Sequence, residues 1–296
     1  MSATTTTAAP PAATVTPSRR PRRTRNQHIG RWAGFVVLAV LAVFFLLPIY
    51  VMVITGLKSF DEVSLATMWE LPQGVYLDNF AEAFEQLRPN LVNSLLLTIP
   101  AAIGAAAFGA LNGFVLSRWR FRGSDLLFTL LLFGMFIPYQ SILIPLVQFM
   151  QKINLYGGIP GLILVHIVYG LPISTLIFRN YFATVPKEIV ESARVDGCDL
   201  LRTFWHIMLP VALPGFAVVL IWQFTNVWND FLFAIVLTRQ DSWPVTVALN
   251  NLAGSQIVEW NVQMSGALLA ALPTLLVYIV LGRFFVRGLM AGAVKG

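Results

Sequence analysis

The chain has 296 residues, of which 57% are hydrophobic and only 11% charged, with a formal net charge of +6 and a mean hydropathy of +0.72. A water-soluble domain carries about a quarter charged residues, so the composition excludes a globular enzyme and points to a polytopic membrane protein. The single cysteine, Cys198, excludes an intramolecular disulfide and has no Cys or His neighbours at metal-ligand spacing, so it reads as a small apolar filler.

Residues 1–31 differ in kind from the rest. The segment is rich in Thr, Ala and Pro and then in Arg, without apolar periodicity, and cannot bury enough surface to fold; a disordered tail is expected. A basic tail beside a hydrophobic run sets topology and meets anionic headgroups, a simpler account than nucleic-acid binding. The run that follows is too long for a signal-peptide core.

A spanning helix needs about 20 apolar residues. Charge-free runs of that kind cover Trp32 to Leu57, Pro89 to Ser117, Leu126 to Gln151, Ile153 to Phe178, Thr203 to Asn229 and Trp260 to Gly282. Lys152 alone separates the third run from the fourth, and the YGGIPG turn marks the reversal. The fifth is expected to enter near Pro210 and to continue past Asp230 to Leu237. The expected fold is an all-α membrane protein with six transmembrane helices, residues 32–288, and a C-terminal tail at 289–296.

Lysine and arginine positions orient these spans. With both termini inside, the inner segments hold Arg19, Arg20, Arg22, Arg23, Arg25 and Arg31, then Arg118, Arg120 and Arg122. They also hold Arg179, Lys187, Arg194 and Arg202, and finally Arg283, Arg287 and Lys295. Only Lys58, Arg88, Lys152 and Arg239 fall outside. The asymmetry makes the termini cytoplasmic. The outer loop from Lys58 to Arg88 carries Asp61, Glu62, Glu70, Asp78, Glu82 and Glu85; it reads as a contact for an external partner or as an ordinary hydrated loop.

One polar segment interrupts the apolar sequence. Lys187, Glu188, Glu191, Arg194, Asp196, Asp199 and Arg202 crowd together between the fourth and fifth spans. Embedding these seven charges would cost roughly 20 kcal/mol on the insertion scale, so the segment lies outside the hydrocarbon. Pro186 suits a first helical turn, Gly197 a left-handed C-terminal cap, and Asp199 an N-cap. The segment 186–210 should therefore form two short helices hinged at Gly197. Pattern alone leaves open whether these dock a partner or make a solvated linker.

The spacing inside this segment resembles a known motif. Glu191-Ser192-Ala193, three residues, Gly197, nine residues and Ile207-Met208-Leu209-Pro210 is similar to the EAA motif of binding-protein-dependent ABC importer permeases. Ser192 for the second Ala is the one departure. The C-terminal GLMAGAVKG and WNDFLF from Trp228 resemble the carbohydrate branch, the maltose-type permeases, while LYGGIPGLILVHIVYGLPI from Leu155 and WQFTNVWNDFLF from Trp222 are most similar to its glucose/mannose group.

The resemblance covers nearly everything from Arg31 onward and implies a type I ABC importer permease fold. It implies that Glu191, Ser192, Ala193, Asp196, Gly197, Ile207, Leu209 and Pro210 form a coupling element docking on a cytoplasmic ATPase dimer. It also implies a contact between Lys295 and that ATPase, a second homologous permease, an extracytoplasmic sugar-binding protein and a bacterial or archaeal cell membrane.

The chain contains no G-x-x-x-x-G-K-[ST] phosphate loop, and no catalytic or metal site is expected. The resemblance assigns ATP and Mg to the partner ATPase. His28 lies in the tail, His206 in the loop as an interfacial side chain, and His166 in the fourth span without a visible partner. Another reading is a carrier driven by an ion gradient, for which Asp230, an ionisable residue within a span, is the candidate. An intramembrane enzyme lacks paired catalytic residues.

In the fifth span Trp222, Asn226, Asn229 and Asp230 recur at helical spacing on one face, with Gln223 and Thr225 flanking. Indole rings and amides together suit a sugar, so this face is the candidate translocation path. The amides serve equally as interhelical glue and the tryptophans as interface anchors. In maltose-type systems the sugar site belongs to the partner permease, which gives Asp230 a structural or gating place instead. Gly109 and Gly113 suit close helix packing.

Overall fold

The computed structural model describes residues 25–119, 121–254 and 258–293. The chain divides into two compact units, Met1–Tyr50 and Val51–Gly296. The first contains most of helix α1, Arg25–Gly56. The helix begins at Arg25, within the stretch expected to be an unfolded tail. Its apolar residues from Trp32 to Ile49 are exposed, as a lipid- or partner-facing helix requires.

In the second unit the long helix α2 (Asp78–Arg118) packs against α5 (Ile159–Ala183), α9 (Leu213–Trp228), α11 (Val245–Ala253) and α12 (Trp260–Ala293). Small residues permit its approach to α5. A methyl group on Gly109 would stand 2.3 Å from Ser174 Cβ, and one on Gly113 2.7 Å from Phe178 Cβ, so only glycine fits at either place. Helix α12 runs on to Ala293, into residues expected to form a C-terminal tail.

Two expected spans are not straight rods. The third is α3 (Ser124–Phe133) followed by α4 (Leu143–Lys152), with a 91° bend between its halves at Ile137 and Pro138, where proline removes a backbone donor. The fourth begins at Ile159, later than its charge-free run, because Asn154 (φ 58°) and Gly157 (φ 95°) turn the chain first. The fifth enters the bundle at Leu213 after a 79° bend, where Pro210 and Pro214 flank Ala212. It ends at Trp228 and resumes as α10 (Leu232–Leu237). Among the described residues there are thus four uninterrupted helices long and apolar enough to span, and two bent pairs that bring the number to six if each is one span.

The two ends of the bundle are tied differently. At one end Asn79 Nδ2 donates to Gly56 O (2.9 Å) and Lys58 O (2.8 Å), and Asn261 Nδ2 donates to Asn79 Oδ1 (3.0 Å). At the same end Asn90 Nδ2 donates to Trp243 O (2.8 Å), and Gly157 N–H donates to Leu237 O (2.9 Å). At the opposite end lie α6 (Lys187–Val195) and α7 (Leu200–Thr203). A π turn over Phe204–Met208 and the short α8 (Leu209–Val211) return the chain toward the bundle.

Candidate functional site

Two regions combine the residues that carry chemistry. The first is the polar segment between α5 and α9, which forms the two short helices expected. Gly197 has φ 78°, in the left-handed region where a side chain is disfavoured, and Cys198 N–H closes the turn on Ala193 O at 2.9 Å. Asp199 caps α7, its carboxylate accepting from Arg202 N–H at 2.7 Å.

The segment is welded to the bundle by apolar burial. Val190, Phe204 and Met208 share one core with Phe114 of α2, Phe178 and Phe182 of α5, and Val219 of α9. Ala193, one turn on from Val190, is buried as well. Ile207 and Leu209 pack half-buried against the same cluster, while Pro210 is exposed as the chain turns. Leu201 and Ile189, by contrast, are exposed.

The outward surface is mixed. Glu191, Ser192 and Asp196 are exposed around the bare Gly197, with Val195 and Leu201 beside them. The Ser192 hydroxyl donates to Glu188 O at 2.7 Å, which satisfies it within the helix and explains why a serine stands there harmlessly.

Sequence reasoning missed one residue of this region. Arg118, at the end of α2, donates to Phe182 O and Val185 O, carbonyls where α5 ends and the chain leads into α6. Arg194 lies 5.0 Å from the Trp119 ring. Between these elements opens a cleft of about 380 Å³ whose wall includes Trp119, Lys187, Glu191 and Arg194. Lys295 lies outside the described residues.

The second region is a cavity of about 580 Å³ where the fifth span is broken. Trp222, Asn226, Asn229 and Asp230 all line it, as their spacing on one face anticipated. Helix α9 stops at Trp228, and the Asp230 carboxylate accepts from Phe233 N–H (3.4 Å) and Ala234 N–H (3.0 Å), donors that the break leaves free. Thr246 Oγ1 donates to Asp230 O at 2.7 Å. Asn226 and Asn229 donate to Trp222 O and Thr225 O, each at 2.8 Å, and both belong to the cavity's polar wall.

Gln223 has a different task. It is buried and donates to Gly170 O (2.9 Å) and Ser174 Oγ (2.8 Å), so it joins α9 to α5. His166 supplies what the sequence could not pair: its Nε2 stands 3.4 Å from Asp230 Oδ2. Tyr139 and Tyr169 stack near Phe233 at 5.3 and 5.0 Å, and the His166 ring meets it edge-on at 5.8 Å. The bend in the third span brings Tyr139 here, a placement no local pattern announces.

Comparison with known proteins gives these regions a context. Residues 105–290 match the family described as binding-protein-dependent transport system inner membrane component. A probable ABC transporter permease protein of Pyrococcus horikoshii is 44% identical over 90% of this chain and 98% of its own. A xylose/arabinose import permease protein of Haloferax volcanii is 33% identical over 90% of this chain and 94% of its own. Among solved structures, a bacterial ABC transporter involved in importing the acidic polysaccharide alginate has a similar fold, with a TM-score of 0.76 at 21% identity over 90% of this chain and 100% of that one. The chain therefore belongs to the binding-protein-dependent ABC transporter permeases, the multi-pass, non-catalytic membrane subunits of these systems.

Proposed function

We propose that this chain is one of two transmembrane subunits of an ATP-driven sugar importer, pairing with a second homologous permease. Its segment 186–210 lies in the cytoplasm and docks on an ATPase dimer that binds ATP and Mg. Sugar reaches the opposite side on an extracytoplasmic binding protein and passes along Trp222, Asn226, Asn229 and Asp230. The termini are cytoplasmic, as the distribution of Lys and Arg favours.

The observation that carries this reading is the two-sided construction of the segment. Val190, Phe204 and Met208 anchor it in the core of the spans, while Glu191, Val195, Gly197 and Leu201 face outward. A push on the outer side is thus transmitted to α2, α5 and α9, which is the physical coupling between two sites that allostery requires. The xylose/arabinose relative supports a sugar as solute, and the aromatic and amide wall supports it chemically. Glucose or mannose is the assignment favoured by the sequence from Leu155 and from Trp222.

Purifying the tagged chain from its native membrane in mild detergent tests this. An ATPase and a second permease should co-purify, and substituting Glu191 and Gly197 should release the ATPase. A chain that purifies alone and still moves solute in liposomes would refute the proposal.

A further inference from the structure

The broken fifth span leaves an unusual pair at the cavity wall. His166 is 8% exposed, and its Nε2 is buried without a hydrogen bond. Asp230 Oδ2, 3.4 Å away, already accepts from Ala234 N–H. A buried polar atom without a partner is costly unless a ligand completes it. A hydroxyl reaching both atoms from the cavity side can accept from His166 Nε2–H, in the tautomer that carries that proton, while donating its own proton to the carboxylate. Tyr139 and Trp222 supply exposed aromatic surface on the same cavity, and Asn226 and Asn229 supply amides.

The charge of the wall is equally specific. Among the described residues lining the cavity, Asp230 is the sole acid, none is lysine or arginine, and His166 already faces the carboxylate. An anionic ligand would enter a low-dielectric site beside a carboxylate with no free cation to receive it. A neutral polyol meets no such opposition.

We propose that this cavity is a direct binding site for an uncharged sugar, bridged at one hydroxyl by His166 and Asp230, and that it rejects the corresponding uronate. The assignment rests on the importer reading and gives its solute a charge class and a contact residue, His166, that the sequence left unpaired.

The test uses the complete transporter in lipid nanodiscs, with ATPase stimulation by sugar-loaded binding protein measured first. Absence of stimulation overturns the importer reading. With stimulation present, equilibrium binding of D-glucose, D-mannose and D-xylose is compared with that of D-glucuronate. The neutral sugars should bind at least about tenfold more tightly, the factor expected when a hydrogen bond to a charged group is replaced by an unpaired charge. His166→Gln should weaken neutral-sugar binding about tenfold, and Asp230→Asn should narrow the preference over glucuronate. Equal binding of glucuronate and glucose by the unaltered transporter, or no binding of all three neutral sugars, overturns the assignment irrespective of how either variant folds. Unchanged neutral-sugar affinity in His166→Gln overturns the bridging role, while the importer reading stands on its own stimulation assay.

Discussion

The polar segment at 186–210 and the cavity at the broken fifth span are built on opposite principles. The segment is local: one proline, one left-handed glycine and one capping aspartate shape it within residues 186–203, and its contacts with the bundle are apolar. The cavity is non-local: Tyr139, His166 and Asp230 come from three spans, and the two bends and one break in the helices bring them together. Motion is transmitted through a well-packed core, whereas a solute needs space, and space is made where helices fail to continue. The difference teaches that coupling and recognition place different demands on the same bundle.

Substitutions that separate the two regions sharpen this contrast, and the largest effect should fall on the core they share. Gly109→Leu inserts a side chain where even a methyl would collide with Ser174. Overpacking of about 1–3 kcal/mol or more should abolish assembly, seen as loss of the detergent-stable complex in size-exclusion chromatography. Normal yield and melting temperature would show that α2 and α5 have room to separate.

Gly197→Val should come next. No atom lies within 4 Å of the added Cβ, so the cost arises from the backbone at φ 78°, roughly 1–2 kcal/mol for an L residue in the left-handed region. Transport should fall while solute binding to the isolated permease pair is retained. Gly197→Asn, which tolerates that conformation, should restore most activity. Failure of asparagine to rescue would shift the explanation from hinge geometry to the need for a bare surface at the ATPase contact.

Arg118 tests how firmly the segment is tied to the spans. Arg118→Leu removes the charged donor from the carbonyls of Phe182 and Val185, of which Phe182 O keeps its bond from Val185 N–H, at a cost of about 1.5–3 kcal/mol for hydrogen bonds from a charged donor. Basal ATPase activity should persist with weakened stimulation by the binding protein, measured as phosphate release in liposomes. Arg118→Lys should give an intermediate result, because one ammonium cannot reproduce the planar fork of guanidinium.

The smallest effect is expected in the cavity. Alanine at Trp222 alone should raise the half-saturating solute concentration by about three- to tenfold, given stacking losses of about 1 kcal/mol, and should leave complex assembly intact. If alanine at Trp222, Asn226, Asn229 and Asp230 together changed neither affinity nor rate, the translocation path would lie elsewhere, and the cavity would be a packing defect.

Much of this architecture was legible in the linear order of residues. Hydropathy located six membrane-crossing regions, because a bilayer demands long apolar runs whatever their tertiary neighbours. Gly197 and Asp199 announced a turn and a cap, since their conformational preferences are intrinsic. The shared face of Trp222, Asn226, Asn229 and Asp230 followed from helical period alone and held, even though the helix breaks among those residues.

What the tertiary structure decided are the relations between distant segments. Hydropathy does not distinguish a straight span from one bent by 91°, because both bury the same apolar length. The partner of His166 was invisible because it lies on another helix. Periodicity put Gln223 beside the face of Asn226, but only packing gave it a task, the hydrogen bonds that join α9 to α5. Periodicity determines which residues share a side; only the positions of neighbouring helices decide whether that side meets protein or open space.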